Sequence, residues 1–178
     1  MEIVINEGNL VKDEIDEISA KVRALLVDDD NNVLVANYSG VLLLPGGKLD
    51  DDEDVFDGIV RELSEEVGYR YKIDELKYLM TLNYYQNNYP KVNGTFKNRL
   101  VVTHYFVGEY NGIIEENRML TDREKDNGFE LRLIPFEQLE KELENADSSN
   151  PRNVYFQKEL STVIDCYNKV NRKVYKKV

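Results

Sequence analysis

The chain has one cysteine, one histidine and no tryptophan among its 178 residues. A lone cysteine, Cys166, excludes an intramolecular disulfide and points to a reducing, cytoplasmic setting. With only His104 beside it, zinc sites built on several cysteines and the common zinc and non-haem iron ligand sets are excluded. No window approaches the roughly 18 consecutive apolar residues of a membrane span. The N-terminal MEIVINEGNLVKDEIDE has no basic stretch followed by an apolar run, so no signal peptide is expected. Only 10 glycines and 4 prolines argue against a disordered or fibrous chain. Positive charge is also scarce, with 23 bases against 34 acids and a net charge of −11. Such a balance speaks against non-specific phosphate-backbone binding, and no DNA partner is expected.

What remains has the composition of a globular protein, 42% hydrophobic and 32% charged. The length suits one domain over residues 1–178, and a chain near this size buries roughly 70% of its unfolded surface. The acidity is concentrated: between Asp50 and Glu66 there are nine acids and one base, Arg61. A solvated acidic face is one explanation of that block, and a divalent-cation site is the other.

Periodicity and turn residues give a coarse order of elements. EIVI at the start, Lys21 to Val27, Val33 to Ala36 and Val41 to Leu44 read as short strands, with a DDDNN turn at 28–32. Pro45-Gly46-Gly47 ends this group. A helix follows from Asp52 to Gly68, because Val55, Ile59, Leu63 and Val67 recur every four residues and glycine is a natural stop. Leu76 to Tyr85 and Leu100 to Tyr110 are β-rich, separated by a polar loop containing Pro90. Phe129 to Pro135 reads as a further strand and Phe136 to Leu143 as a short helix. Asn150-Pro151 opens a last helix, about 151–170, and the segment from Lys169 to Val178 carries five bases and no acid. Strands, helix, strands, helix is an α+β plan.

Glu62, Glu65 and Glu66 stand at i, i+3 and i+4, so a helix presents all three carboxylates on one face. Like charges so placed destabilise a helix by roughly 0.2–0.5 kcal/mol per pair, and a hard cation such as Mg²⁺ or Mn²⁺ offsets this with oxygen ligands. The glycine pair just upstream lets backbone approach a phosphate or its metal closely. From Gly47 the stretch runs through Glu53 and Arg61-Glu62-Leu63-Ser64-Glu65-Glu66-Val67-Gly68 to Tyr69. This resembles the Nudix box, the signature of the Nudix hydrolases. Gly47, Glu53, Arg61, Glu62, Glu65, Glu66 and Gly68 match its fixed positions with the spacing intact. Two positions depart. Tyr69 stands where an aliphatic residue is usual. Asp52 stands where glycine is frequent, and aspartate tolerates positive φ better than most residues.

The resemblance implies a Nudix α/β/α sandwich around a mixed β-sheet, with its core over about 18–143. It further implies hydrolysis of a nucleoside diphosphate derivative by water attack at phosphorus, assisted by Mg²⁺ or Mn²⁺. Glu62, Glu65, Glu66 and the Gly47 carbonyl are then the expected metal ligands. Glu53 and Arg61 brace the helix, with Gly46 and Gly68 supporting the loop geometry. The general base is either Glu62 or a later glutamate, for which Glu124 stands ahead of Glu130 and Glu116. Tyr84, Tyr85 and Tyr89 are candidates to line the cleft, whereas His104 is expected to pack rather than react. No substrate-selective signature outside the box is visible, and a nucleoside triphosphate or nucleotide sugar is the default small-molecule partner. A catalytically silent nucleotide sensor is the rival reading. Whether the chain forms a homodimer is left open.

Overall fold

The computed structural model describes residues 1–146 and 149–175, with side chains to residue 171. Seven strands form one mixed sheet: β1 (Glu2–Ile5), β2 (Glu17–Val27), β3 (Asn32–Tyr38), β4 (Val41–Leu43), β5 (Leu76–Pro90), β6 (Phe96–Glu109) and β7 (Glu130–Pro135). The order is β1-β5-β6-β2-β3-β4, with β7 pairing β3. β1–β5 and β2–β6 are parallel pairs; the others are antiparallel. Among the described residues four α-helices accompany them: α1 (Val55–Glu66), α2 (Asp122–Asp126), α3 (Leu139–Glu144) and α4 (Asn153–Tyr175). Among the described residues no helix is long and apolar enough to cross a membrane.

Side chains alternate across β2 and divide the core in two. Val22, Ala24 and Leu26 point toward α1 and pack with Ile59, Leu63, Val67, Tyr71 and Phe106. Leu25 points the other way, into a cluster with Leu42, Leu44, Met80, Leu82, Tyr105 and, from α4, Leu160, Val163 and Ile164. The result is the α/β/α sandwich that the motif implied. The four-residue stripe of the acidic helix is what buries it: Ile59, Leu63 and Val67 are fully inaccessible. Truncating Ile59 or Leu63 to alanine would cost about 2–5 kcal/mol, the usual range for a filled core position.

Several boundaries differ from the sequence reading. α1 starts at Val55, not Asp52, because the Asp54 side chain accepts the Phe56 N–H at 2.8 Å and caps it. β5 and β6 run on through the supposed polar loop: Tyr89 pairs Lys97 and Pro90 pairs Phe96, with a bulge after Gln86. Pairing on either side carries the strand past Asn87 and Asn88, which form the bulge, Asn88 at φ +51°. α4 starts two residues later than Pro151, after a turn in which the Asn150 side chain accepts the Arg152 N–H at 3.0 Å. It extends to Tyr175; the basic residues beyond it lie outside the described residues. α2 was not expected at all.

The end of α1 is fixed by Gly68. Its φ is +79°, its N–H reaches the Ser64 carbonyl at 3.1 Å, and a Cβ there would run into the Ile114 carbonyl. Positive φ and backbone overlap act together, so Gly68→Ala is expected to destabilise the fold by about 2 kcal/mol or more, read as a lowered urea midpoint with unchanged slope.

Candidate active site and metal centre

Gly46-Gly47 follows β4 and passes directly over α1. Gly46 has φ +126°, and a Cβ would overlap the Val22 carbonyl. Gly47 lies against the Glu62 carboxylate, so a Cβ there would stand 2.5–2.6 Å from its oxygens and carbon. Glycine at both positions is therefore what lets Glu62 and Glu66 sit beneath the loop. Glu62 is 8% exposed and Glu66 4%. The Glu66 carboxylate accepts the Gly46 N–H at 2.7 Å. The Gly47 carbonyl accepts the Val22 N–H at 3.0 Å, which leaves it a second lone pair.

Arg61 ties the helix to the loop. Its Nε and one terminal nitrogen grip Glu53 at 2.7 and 2.8 Å, a bidentate pair, and that nitrogen also reaches the Lys48 carbonyl at 3.2 Å. The other terminal nitrogen bridges Glu62 at 2.9 Å and Glu65 at 3.3 Å. This guanidinium holds the Glu53 carboxyl down at about 2. Asp52, at the departing position, adopts φ +63°, the conformation glycine would have supplied.

Burial outweighs Arg61 at Glu62, whose carboxyl is raised above its usual range. At Glu66 burial pushes it up to about 8, and nearby Glu62 and Glu124 add to that, against the Gly46 N–H and Arg23. Two buried carboxylates are thus short of positive charge. Among the described residues no three acidic, histidine or cysteine side chains converge as a ready metal cage. Mutual repulsion is reason enough for carboxylates to stand apart without a cation, and Arg61 now bridges two of them. The donor set of Glu62, Glu65, Glu66 and the Gly47 carbonyl is all hard oxygen and fits Mg²⁺ or Mn²⁺.

The residues face two hollows. Glu66, Gly46, Gly47 and Glu124 line a cleft of about 310 Å³, together with Lys21, Arg23, Tyr38, Lys48, Thr121, Arg123 and Phe129. Glu65, Glu53 and Arg61 line another, of about 380 Å³, along the outer flank of α1. Glu62 lies under Gly47, where the loop crosses the helix. Glu124 also closes a capping box on α2: its carboxylate accepts the Thr121 N–H at 2.6 Å and hydroxyl at 2.8 Å. Glu116 and Glu130 are exposed and line neither hollow.

The tyrosines chosen from the sequence do not line the cleft. Tyr84 and Tyr89 are buried on the α4 face, where both stack against Tyr155, and Tyr85 is on the opposite face. His104 packs against Tyr78, whose hydroxyl meets Nδ1 at 3.0 Å. The aromatics in the cleft are Tyr38 and Phe129, edge to face at 6.4 Å. Neither was anticipated, and neither were Lys21 and Arg23, which read as part of an ordinary buried strand. The Thr-x-x-Glu spacing of 121–124 was a usable sign of α2.

The comparisons agree with this geometry. The family model described as the NUDIX domain matches residues 18–155. No curated protein matches the sequence. Among solved structures, a NUDIX hydrolase from Nitrosomonas europaea superposes with a TM-score of 0.59 at 15% identity, covering 86% of this chain and 90% of its own. The MutT protein from Methanosarcina mazei Go1 gives 0.54 at 17% identity, covering 88% and 94%. The NUDIX domain of NrtR from Shewanella oneidensis, solved with ADP ribose, gives 0.50 at 19% identity, covering 77% and 88%. At these identities the neighbours show the fold, and the family match rests on the model spanning most of the chain. The chain belongs to the Nudix family.

A carboxyl raised in the folded state stabilises the fold while it is protonated in both states, below about pH 4.5, and that contribution is lost as pH climbs to about 8. In EDTA the melting temperature should therefore fall between about pH 5 and pH 8, and Glu66→Gln should fall less. A bound cation reverses the effect, so Mg²⁺ or Mn²⁺ should raise the melting temperature more at about pH 8 than at about pH 6. Equal shifts at both, or none, would contradict the assignment.

Proposed function

We propose that the chain is a metal-dependent Nudix pyrophosphohydrolase that cleaves a diphosphate linkage in a nucleoside diphosphate derivative, with nucleoside triphosphates and nucleotide sugars favoured. The observation that supports this best is the buried, charge-deficient pair Glu62 and Glu66 beneath a glycine loop, with Glu66 facing a cleft large enough for a diphosphate. ADP ribose, held by the Shewanella oneidensis neighbour, is a molecule of the favoured class.

Glu62, Glu65, Glu66 and the Gly47 carbonyl would hold the cation. When bound it supplies neutralisation of the diphosphate and activation of water. The protein groups do the positioning. Arg61 keeps Glu53 on the loop and fixes the pitch of α1 against Gly46-Gly47. Arg61 also bridges Glu62 and Glu65, so a cation held by those carboxylates would compete with it there and not at Glu53. Glu124, across the cleft from Glu66, stands where it can take a proton from water. To do so it must leave the Thr121 donors, and Glu62 must likewise leave the Arg61 guanidinium. Both remain candidates for the base, and they differ in one respect: loss of Glu124 should also loosen α2.

The competing reading is a sensor that binds nucleotide without cleaving it. Every carboxylate of the box is retained, and this favours the enzyme. The experiment is a phosphate-release screen over nucleoside triphosphates, nucleotide sugars and dinucleotides with Mg²⁺ and Mn²⁺. Turnover is expected to need divalent metal. Glu65→Gln and Glu66→Gln should each lower it by more than the roughly 10–100-fold that outer partners of a metal ligand cost, with the melting temperature retained or raised. Near wild-type turnover in either variant would sink the ligand assignment.

A further inference from the structure

The cleft is cationic in an acidic protein. Four bases line it, Lys21, Arg23, Lys48 and Arg123, against two carboxylates, Glu66 and Glu124. Arg23 is held in place: its guanidinium donates to the carbonyls of Leu44 at 2.5 Å and Gly46 at 3.2 Å and pairs with Glu159 at 3.7 Å. The other three are not. Among the described residues Lys21, Lys48 and Arg123 have no side-chain hydrogen bond and no ion pair. Lys48 and Arg123 stand at the exposed rim, and Lys21 is half-buried on β2 with its stem toward α4. Its Nζ lies 5.9 Å from the centroid of the Phe156 ring, at the outer limit of roughly 6 Å for such attraction. Desolvation pushes the ammonium down to about 8, Arg23 and Arg99 add to that, and Glu159 and Glu17 oppose it from a distance, so it is still charged at neutral pH. Neither carboxylate pairs with it, so a half-buried ammonium keeps donors that an anion in the cleft can take. A neutral base edge or sugar would leave the charge in place. The cleft also shares Tyr38 and Arg123 with a second hollow of about 520 Å³, room for a nucleoside beyond the phosphates.

We propose that Lys21, with Lys48 and Arg123 at the rim, forms an anion-binding subsite in the cleft that Glu66 lines, which takes a third phosphate of the substrate and so selects nucleoside triphosphates over nucleotide sugars. The substrate preference rests on the hydrolase reading above; the anion subsite itself does not.

Two measurements separate them. Isothermal titration of inorganic tripolyphosphate in EDTA tests the subsite without metal or turnover. The wild type should bind, and Lys21→Met should bind about tenfold more weakly or worse, the loss expected for one charge-assisted contact, with Lys21→Arg recovering most of it. The kcat/KM ratio for ATP over ADP-glucose, and for GTP over GDP-mannose, tests the preference. Lys21→Met should lower that ratio by a similar factor. The rim double variant Lys48→Met/Arg123→Met should act in the same direction and guards against a folding effect at Lys21. Unchanged tripolyphosphate affinity in both variants overturns the subsite, even where triphosphates are hydrolysed. An unchanged ratio in both overturns the preference. Lys21-dependent binding with no turnover of any nucleotide keeps the subsite and removes the hydrolase reading instead.

Discussion

The structure depends on one arrangement: two carboxylates, Glu62 and Glu66, buried beneath a loop that can cover them because Gly46 and Gly47 have no side chains. Burial of a carboxylate is expensive unless its charge is met, and the protein meets it only in part. Glu66 has a single backbone donor, and Glu62 shares its guanidinium with Glu53 and Glu65. Everything around the site follows from making that deficit survivable. The fully buried stripe of Ile59, Leu63 and Val67 anchors α1 to the sheet, so the helix cannot rotate its acids out to water. The Arg61–Glu53 pair locks helix to loop. Gly68 ends the helix with its last acid still under the loop.

The deficit is local, and the lining of the cleft beside it has the reverse imbalance. Lys21 and Arg23 on β2, Lys48 beside the glycine loop and Arg123 on α2 line it with only Glu66 and Glu124 as acids. A cation at α1 and a polyanion in the cleft would satisfy both. Arg23 offsets the Glu66 charge through space, but among the described residues Lys21, Lys48 and Arg123 form no ion pair with a carboxylate. This is a distribution that a ligand completes rather than one that folding completes.

The site was more legible in the sequence than the sheet. α1, its apolar stripe and the spacing of its carboxylates were readable because helix periodicity and close side-chain spacing are local. Even the departure at Asp52 could be read, since positive φ at that position is a local demand. The extent of β5 and β6 was not readable. Asn88 and Pro90 have turn character, and only pairing with β6 carries the strand past them: Asn88 stands in the bulge at φ +51°, and Pro90 pairs Phe96. The cleft lining was hidden for the same reason. Lys21 and Arg23 sit in KVRALLV, whose alternation reads as a buried strand with two interruptions. Only the register of β2 against β6 and the placement of α4 show those interruptions to be a polar tier. Tyr38 and Phe129 meet across 91 residues of sequence and could not be paired from it.

The central claim is that the acidic face of α1 serves bond cleavage and not only charge or recognition. Incubation of wild-type protein with nucleoside triphosphates and nucleotide sugars in ¹⁸O-labelled water, with Mg²⁺ or Mn²⁺ and in EDTA, reads this directly by mass spectrometry of the products. Solvent oxygen should appear on one phosphate-terminated fragment, only with divalent metal, and faster toward alkaline pH, where a glutamate base and its water are better deprotonated. Saturable nucleotide binding with no labelled fragment under the same conditions would contradict the account and leave a Nudix fold that binds without cleaving.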